Sequence, residues 1–191
     1  MSTTIRCNDD YCTLLDKIQG RGFDVNGTFE LVGEQLTIPL MTSEQVAERF
    51  NILPQFRDRF IEDLYKFEDE SLGPYRTKYY FFMIPALMTA MKSFKEDCND
   101  TRRCVIKFPV NHCFQSIQFL IRDNTVNIVC NMRSCNAIAN LPTDIWICAF
   151  LGDLLRRKFN NMYEGSLYSS YKIIMNIGSL HVFKADVRRG M

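Results

Sequence analysis

Between Cys104 and Phe183 the chain sets three strand-like runs, then one long apolar helical pattern, then a further strand-like run. This order constrains the fold more than any other feature. The runs CVIKF, SIQFLIRD and VNIVCNMR are rich in β-branched and aromatic residues, and Asp123-Asn124 marks the turn between the last two. DIWICAFLGDLLRRKF is the strongest helix in the chain, and its basic end suits the negative end of a helix dipole. YKIIMNIGSLHVFKAD reads as a strand pair broken at Gly178. Strands that each bury one side need a layer to cover them, and this helix is the nearest candidate.

Upstream, residues 10–19 carry apolar side chains at helical spacing until Gly20-Arg21-Gly22 ends the pattern. NGTFELVGEQLTIPL alternates around Gly27 and Gly33, as a hairpin or bent strand does. SEQVAERF and QFRDRFIEDLYKF are two helical patterns separated near Pro54. Residues 85–97 predict an amphipathic helix with Pro85 in its first turn. Repeats, low-complexity tracts and linkers are absent from the sequence. The expected architecture is α+β, one domain over residues 1–191, since the length suits a single substantial core.

Hydrophobic residues make up 47% and aromatics 13%, a composition that folds. A net charge of +1 argues against a protein that coats nucleic acid, which needs a basic excess. No apolar run approaches the ~20 residues that span a bilayer, and MSTTIRCNDDYC lacks the apolar core of a signal peptide. The eight cysteines include no CxxC pair, and several lie among core-like residues. Reduced thiols of a cytoplasmic protein, with no metal site, are the expectation.

From Glu70 to Asp186 the motifs form one ordered series: LGPYR, NDTRRCVIKF, Cys113 five residues before Gln118-Phe119, the RD turn, RSCNAIANLP and LHVF. The series resembles thymidylate synthase and its relatives, the pyrimidine-nucleotide hydroxymethylases. GTFELVGEQ and IPLMT extend the likeness more loosely into the first seventy residues. The resemblance implies a thymidylate synthase-like fold, with a large mixed β-sheet, packed helices, and sheets back to back in a homodimer. It also implies a chemistry. A cysteine thiolate adds to pyrimidine C6, and C5 becomes a nucleophile toward the methylene of 5,10-methylenetetrahydrofolate.

The resemblance makes Cys113 the nucleophile, although composition alone reads it as one of several buried cysteines. This chain has Asn111-His112-Cys113-Phe114 where the family has Pro-Cys-His. Arg133 and Ser134 match the family's phosphate site, with Arg102 and Arg103 as the pair lent by the partner subunit and Arg21 as the amino-terminal arginine. His181 and Phe183 fall on the HxY motif that holds the sugar; Phe183 removes the phenolic oxygen. Asn136 and Asn140 replace an aspartate and a glycine on the folate side, and the expectation is a short domain without the family's carboxy-terminal extension. Glu62 is taken for the proton-transferring glutamate, with Glu48 its rival.

Asp144 stands where thymidylate synthases carry an asparagine that pairs with uracil. A carboxylate cannot donate to the uracil carbonyl but can accept from the cytosine amino group. The other reading of Asp144 is an N-cap on DIWICAF. Together these imply a cytosine-nucleotide (dCMP or CMP) C5-hydroxymethyltransferase that takes a pyrimidine nucleoside monophosphate. A thymidylate synthase or dCMP C5-methylase is the nearest alternative, and a non-catalytic nucleotide-binding homodimer the next.

Overall fold

The computed structural model describes residues 2–5, 8–39, 41–65, 92, 102–122, 125–162 and 170–188. The helix expected over 85–97 and the turn at Asp123-Asn124 lie outside the described residues, apart from Lys92. Strand β1 (Ser2–Thr4) precedes helix α1 (Asn8–Arg21). The hairpin strands β2 (Phe23–Val25) and β3 (Thr28–Ile38) follow, then α2 (Ser43–Arg49) and α3 (Pro54–Tyr65). The second half holds β4 (Val105–Lys107), β5 (Phe114–Arg122), β6 (Thr125–Asn136), α4 (Leu141–Met162), β7 (Ser170–Phe183) and α5 (Lys184–Arg188).

The strands form a seven-stranded sheet in the order β1-β3-β7-β6-β5-β4, with β2 paired to β3. It is mixed: β1 with β3 and β6 with β7 run parallel, while the other pairs are antiparallel. The parallel β6–β7 pair requires a crossover, and α4 lies within that connection. Gly152 of α4 packs so closely on the sheet that an added Cβ would stand 2.7 Å from Ile128 Cδ1. On the outer side of α4, Trp146 and Phe150 meet Phe60 of α3 edge to face at 5.3 and 5.7 Å.

Local chemistry explains the connections. Asn26 and Gly27, with φ of 45° and 81°, make the two-residue hairpin turn that joins β2 to β3. Thr42 and Gln45 form a reciprocal capping box at the start of α2. Pro54 opens α3, where its missing N–H has no helical partner to lose. Gly22 ends α1 against β3, since a Cβ there would meet Ile18 O at 2.3 Å and Glu30 N at 2.9 Å.

The final strand corrects an expectation. Gly178 does not break a strand pair; β7 runs unbroken from Ser170 to Phe183. Its register places Gly178 beside Gly33 of β3 and Arg133 of β6. The buried positions change parity there in all three strands. They run Val126, Ile128, Cys130 and Met132, then Cys135 and the terminal Asn136, in β6; Tyr171, Ile173, Met175 and Ile177, then Leu180 and Val182, in β7; and Leu31, then Leu36 and Ile38, in β3. The sheet is therefore kinked along a line crossing three strands. Gly33 takes φ of 69° at that line. Gly178 carries no side chain there because a Cβ would meet Arg133 O at 2.7 Å.

Candidate active site

The kink builds the site. Cys113 immediately precedes β5, and its carbonyl accepts the Arg133 amide at 2.8 Å. The β5–β6 register shifts between Phe114 and Ser116. That irregularity lets the end of β5 follow the bend of β6. The Ser134 hydroxyl is consequently set 3.9 Å from the Cys113 thiol. Cys113 is half-buried and the neighbouring Arg133 is exposed, so the thiol and the Ser134 hydroxyl meet at an accessible place.

Beyond Ser134 the chain dives inward. Cys135 and Asn136 are both buried. Asn136 Oδ1 accepts the amides of Ile138 at 2.9 Å and Ala139 at 3.0 Å, folding residues 137–140 into a turn. Tyr11 of α1 ties down the same turn by donating its hydroxyl to Ala137 O at 2.6 Å. Burial pushes that phenol up to about 12, so it stays a donor. Asn140 then opens α4, its carbonyl accepting the Asp144 amide at 2.8 Å.

Asp144 is thus not the N-cap, because α4 starts at Leu141 and Asp144 already lies within its first turn. Its side chain is 9% exposed and turns toward β6, where Oδ2 accepts the Cys135 thiol at 3.4 Å. Burial pushes the carboxyl up to about 7, with the thiol bond opposing part of that rise. Near neutral pH the group therefore takes either protonation state, and a proton on it can be a hydrogen-bond donor. A half-buried thiol just before β5 and a serine hydroxyl near the end of β6 thus lie close together, and a buried, readily protonated carboxyl follows on the helix that β6 leads into.

Over 71 residues, or 37% of this chain, the sequence is 35% identical to the deoxycytidylate 5-hydroxymethyltransferases of Enterobacteria phages T4 and T2. The phage T6 protein of the same name matches equally. The chain is similar to the deoxycytidylate 5-hydroxymethyltransferases. The matched stretch spans 29% of the length of these relatives. No family model matches the chain.

The residues that the motif resemblance singles out divide by position. Cys113, Arg133, Ser134, Asn136, Asn140 and Asp144 fall along β6 and the segments it touches. His181 is registered directly beside Asn136, and its carbonyl accepts the Ala137 amide at 2.7 Å. Its ring stands edge-on to Phe183 at 5.5 Å, and Phe183 is 46% exposed. Arg102 and Arg103 are exposed and precede the edge strand β4, two strands from β6. Arg21 is exposed in the last turn of α1, where a cation also complements the helix dipole.

Glu62 lies on the exposed side of α3, whereas Phe60 of the same helix is buried. Glu48 is exposed too. Sequence reasoning missed Cys135 and Tyr11. Neither has a spacing signal, since Tyr11 and its partner Ala137 stand 126 positions apart.

Proposed function

We propose that the chain is a cytosine-nucleotide (dCMP or CMP) C5-hydroxymethyltransferase that forms its covalent bond through Cys113. The observation that carries this reading is the buried Asp144 carboxyl, held on the segment that brings Ser134 to Cys113. In the proposed reaction the Cys113 thiolate adds to C6 of the pyrimidine, and the electron pair of the C5–C6 bond moves toward C5. Asp144 pairs with the N3–N4 edge. Arg133 and Ser134 take the phosphate with Arg21, while Arg102 and Arg103 serve the phosphate of a partner subunit. His181 and Phe183 flank the sugar, and Glu62 is the assigned proton-transfer group.

The one-carbon donor implied by the resemblance is 5,10-methylenetetrahydrofolate, which supplies the carbon at the formaldehyde level. Asn136 and Asn140 occupy the folate-side positions. The fit fails at Asn136, because its carbonyl oxygen is already committed to two backbone amides and offers no acceptor like the family's carboxylate. The steps above are therefore confined to the nucleotide. That same observation favours the second reading, a nucleotide-binding homodimer without one-carbon transfer.

A thymidylate synthase-like single domain and a homodimer with sheets back to back belong to this proposal. A row of polar side chains supports the dimer. Gln35 donates to Asn176 at 2.9 Å, Asn176 to Asn131 at 3.0 Å and Asn131 to Ser116 at 3.0 Å. These positions alternate with the buried ones, so the row crosses four strands on the face opposite the core. Free thiols at the six described cysteines support a reducing, cytoplasmic setting. Among the described residues no helix is long and apolar enough to cross a membrane.

Tritium release from C5 of labelled dCMP and dUMP, with the donor added, tests the reading. Release from dCMP, a hydroxymethylated product, and loss of both in Cys113→Ser are expected. Release from dUMP alone would overturn it in favour of a thymidylate synthase, and a methylated cytosine product in favour of a C5-methylase. Binding of dCMP without release would favour the non-catalytic dimer.

A further inference from the structure

A neutral carboxyl group alone does not separate cytosine from uracil. The cytosine edge offers a donor at N4 and an acceptor at N3, whereas uracil offers an acceptor at O4 and a donor at N3. A neutral carboxyl group has one donor and one acceptor oxygen and can match either edge by moving its proton from one oxygen to the other. Discrimination therefore needs a neighbour that assigns the proton to one oxygen.

Resting on the base-reading role proposed for Asp144, we infer that Cys135 is a positioning residue that sets this preference. Its thiol donates to Asp144 Oδ2, keeps that oxygen an acceptor, and leaves Oδ1 as the seat of the carboxyl proton. With Oδ2 toward N4 and Oδ1 toward N3, the pair complements cytosine. Uracil would require the proton on Oδ2, where the thiol hydrogen already points.

The surroundings keep this arrangement stable. Cys135 is 1% exposed, so water does not compete for the bond. The other acceptor within reach, Asn136 O, is neutral and farther away at 3.6 Å. Burial, with the nearby Asp144 charge adding to it, pushes the Cys135 thiol well above its ordinary range, so it remains a donor. The remaining titratable groups around the pair are Cys130 of β6, Cys148 one turn farther along α4, Cys113 before β5, and Tyr11 of α1. Tyr11 is already committed to Ala137 O, and the Cys130 thiol is hydrogen-bonded to the Cys148 thiol. Cys135 is thus the thiol that reaches the carboxyl by a direct bond.

The sign of the pH effect follows. The Oδ1 proton that N3 requires is lost as pH rises through about 7, and dCMP affinity falls with it. A thiol hydrogen bond favours the ionised form, so removing it moves that midpoint upward.

The experiment measures dCMP and dUMP affinities of the full chain by titration calorimetry across this pH range. Cys135→Ala is expected to lower the dCMP-over-dUMP preference about tenfold and to raise the midpoint by about one pH unit. Cys135→Ser, whose hydroxyl donates more strongly, is expected to keep the preference and lower the midpoint. An unchanged preference and midpoint in Cys135→Ala overturns the inference, as does an equal loss for both nucleotides. Should the alanine variant fail to fold, the serine variant decides, and a midpoint at or above that of the parent overturns it. Asp144→Asn separates the two levels. It is expected to shift preference to dUMP. If it does not, base reading by Asp144 fails and this inference fails with it. If it does while Cys135→Ala changes nothing, only the role of Cys135 is lost.

Discussion

Asp144→Asn should stabilise the fold at neutral and alkaline pH, although it removes the proposed reader of the base. Burial raises this carboxyl from 3.8 to about 7. Between those values the folded protein holds a proton that the unfolded chain has released. Unfolding then releases a proton, and stability falls by about 1.4 kcal/mol per pH unit. The contribution is fully present below the unfolded value and is lost as pH rises through the folded one. The total is roughly 4 kcal/mol, of which roughly 3 kcal/mol falls between about pH 5 and about pH 8. An asparagine has no such proton, so the stability difference between variant and parent should grow by that amount and then level off. Urea unfolding followed by fluorescence of Trp146, the single tryptophan, reads it directly, since that side chain is buried on α4 two residues away. Comparing differences across pH cancels any fixed packing effect of the amide. A difference that stays flat from pH 5 to 8 would refute the buried, raised carboxyl and the donor role built on it. Retaining so costly a group is intelligible where function needs a carboxyl that can be neutral.

Gly178→Ala forces a Cβ to within 2.7 Å of Arg133 O and should destabilise the chain by about 1–3 kcal/mol, seen as a lower urea midpoint. An unchanged midpoint would show that the kink line tolerates a side chain. Asn136→Ala removes the acceptor of the Ile138 and Ala139 amides, so their hydrogen exchange should quicken about tenfold. Equal exchange in variant and parent would remove Asn136 as the builder of the turn.

Local signals in the sequence were faithful where a local cause sufficed. Asn26-Gly27 and Pro54 mark boundaries because their backbone preferences act within a few residues. The period-two runs in β5 and β6 announce strands because one side of each is buried. Gly178 misled because a glycine that ends a strand and one that admits a neighbour's carbonyl look alike in one dimension. That Glu62 lies on the exposed side of α3 was not legible, because apolar neighbours along a helix do not reveal which side of it is covered.

The sequence by itself determined the α+β class, most of the strands and helices, and the ordered motifs that place Cys113, Arg133-Ser134 and Asp144 in one series. These are properties of neighbouring residues, and short-range propensity and periodicity write them into the chain. Only the tertiary structure decided that β7 is continuous, that the sheet kinks at Gly33, Gly178 and Arg133, and that Asp144 faces Cys135 and does not cap its helix. Those facts depend on which strands pair and how deeply a side chain is buried. The Asp144 proton depends on them too, because desolvation belongs to the packed environment and to no residue alone.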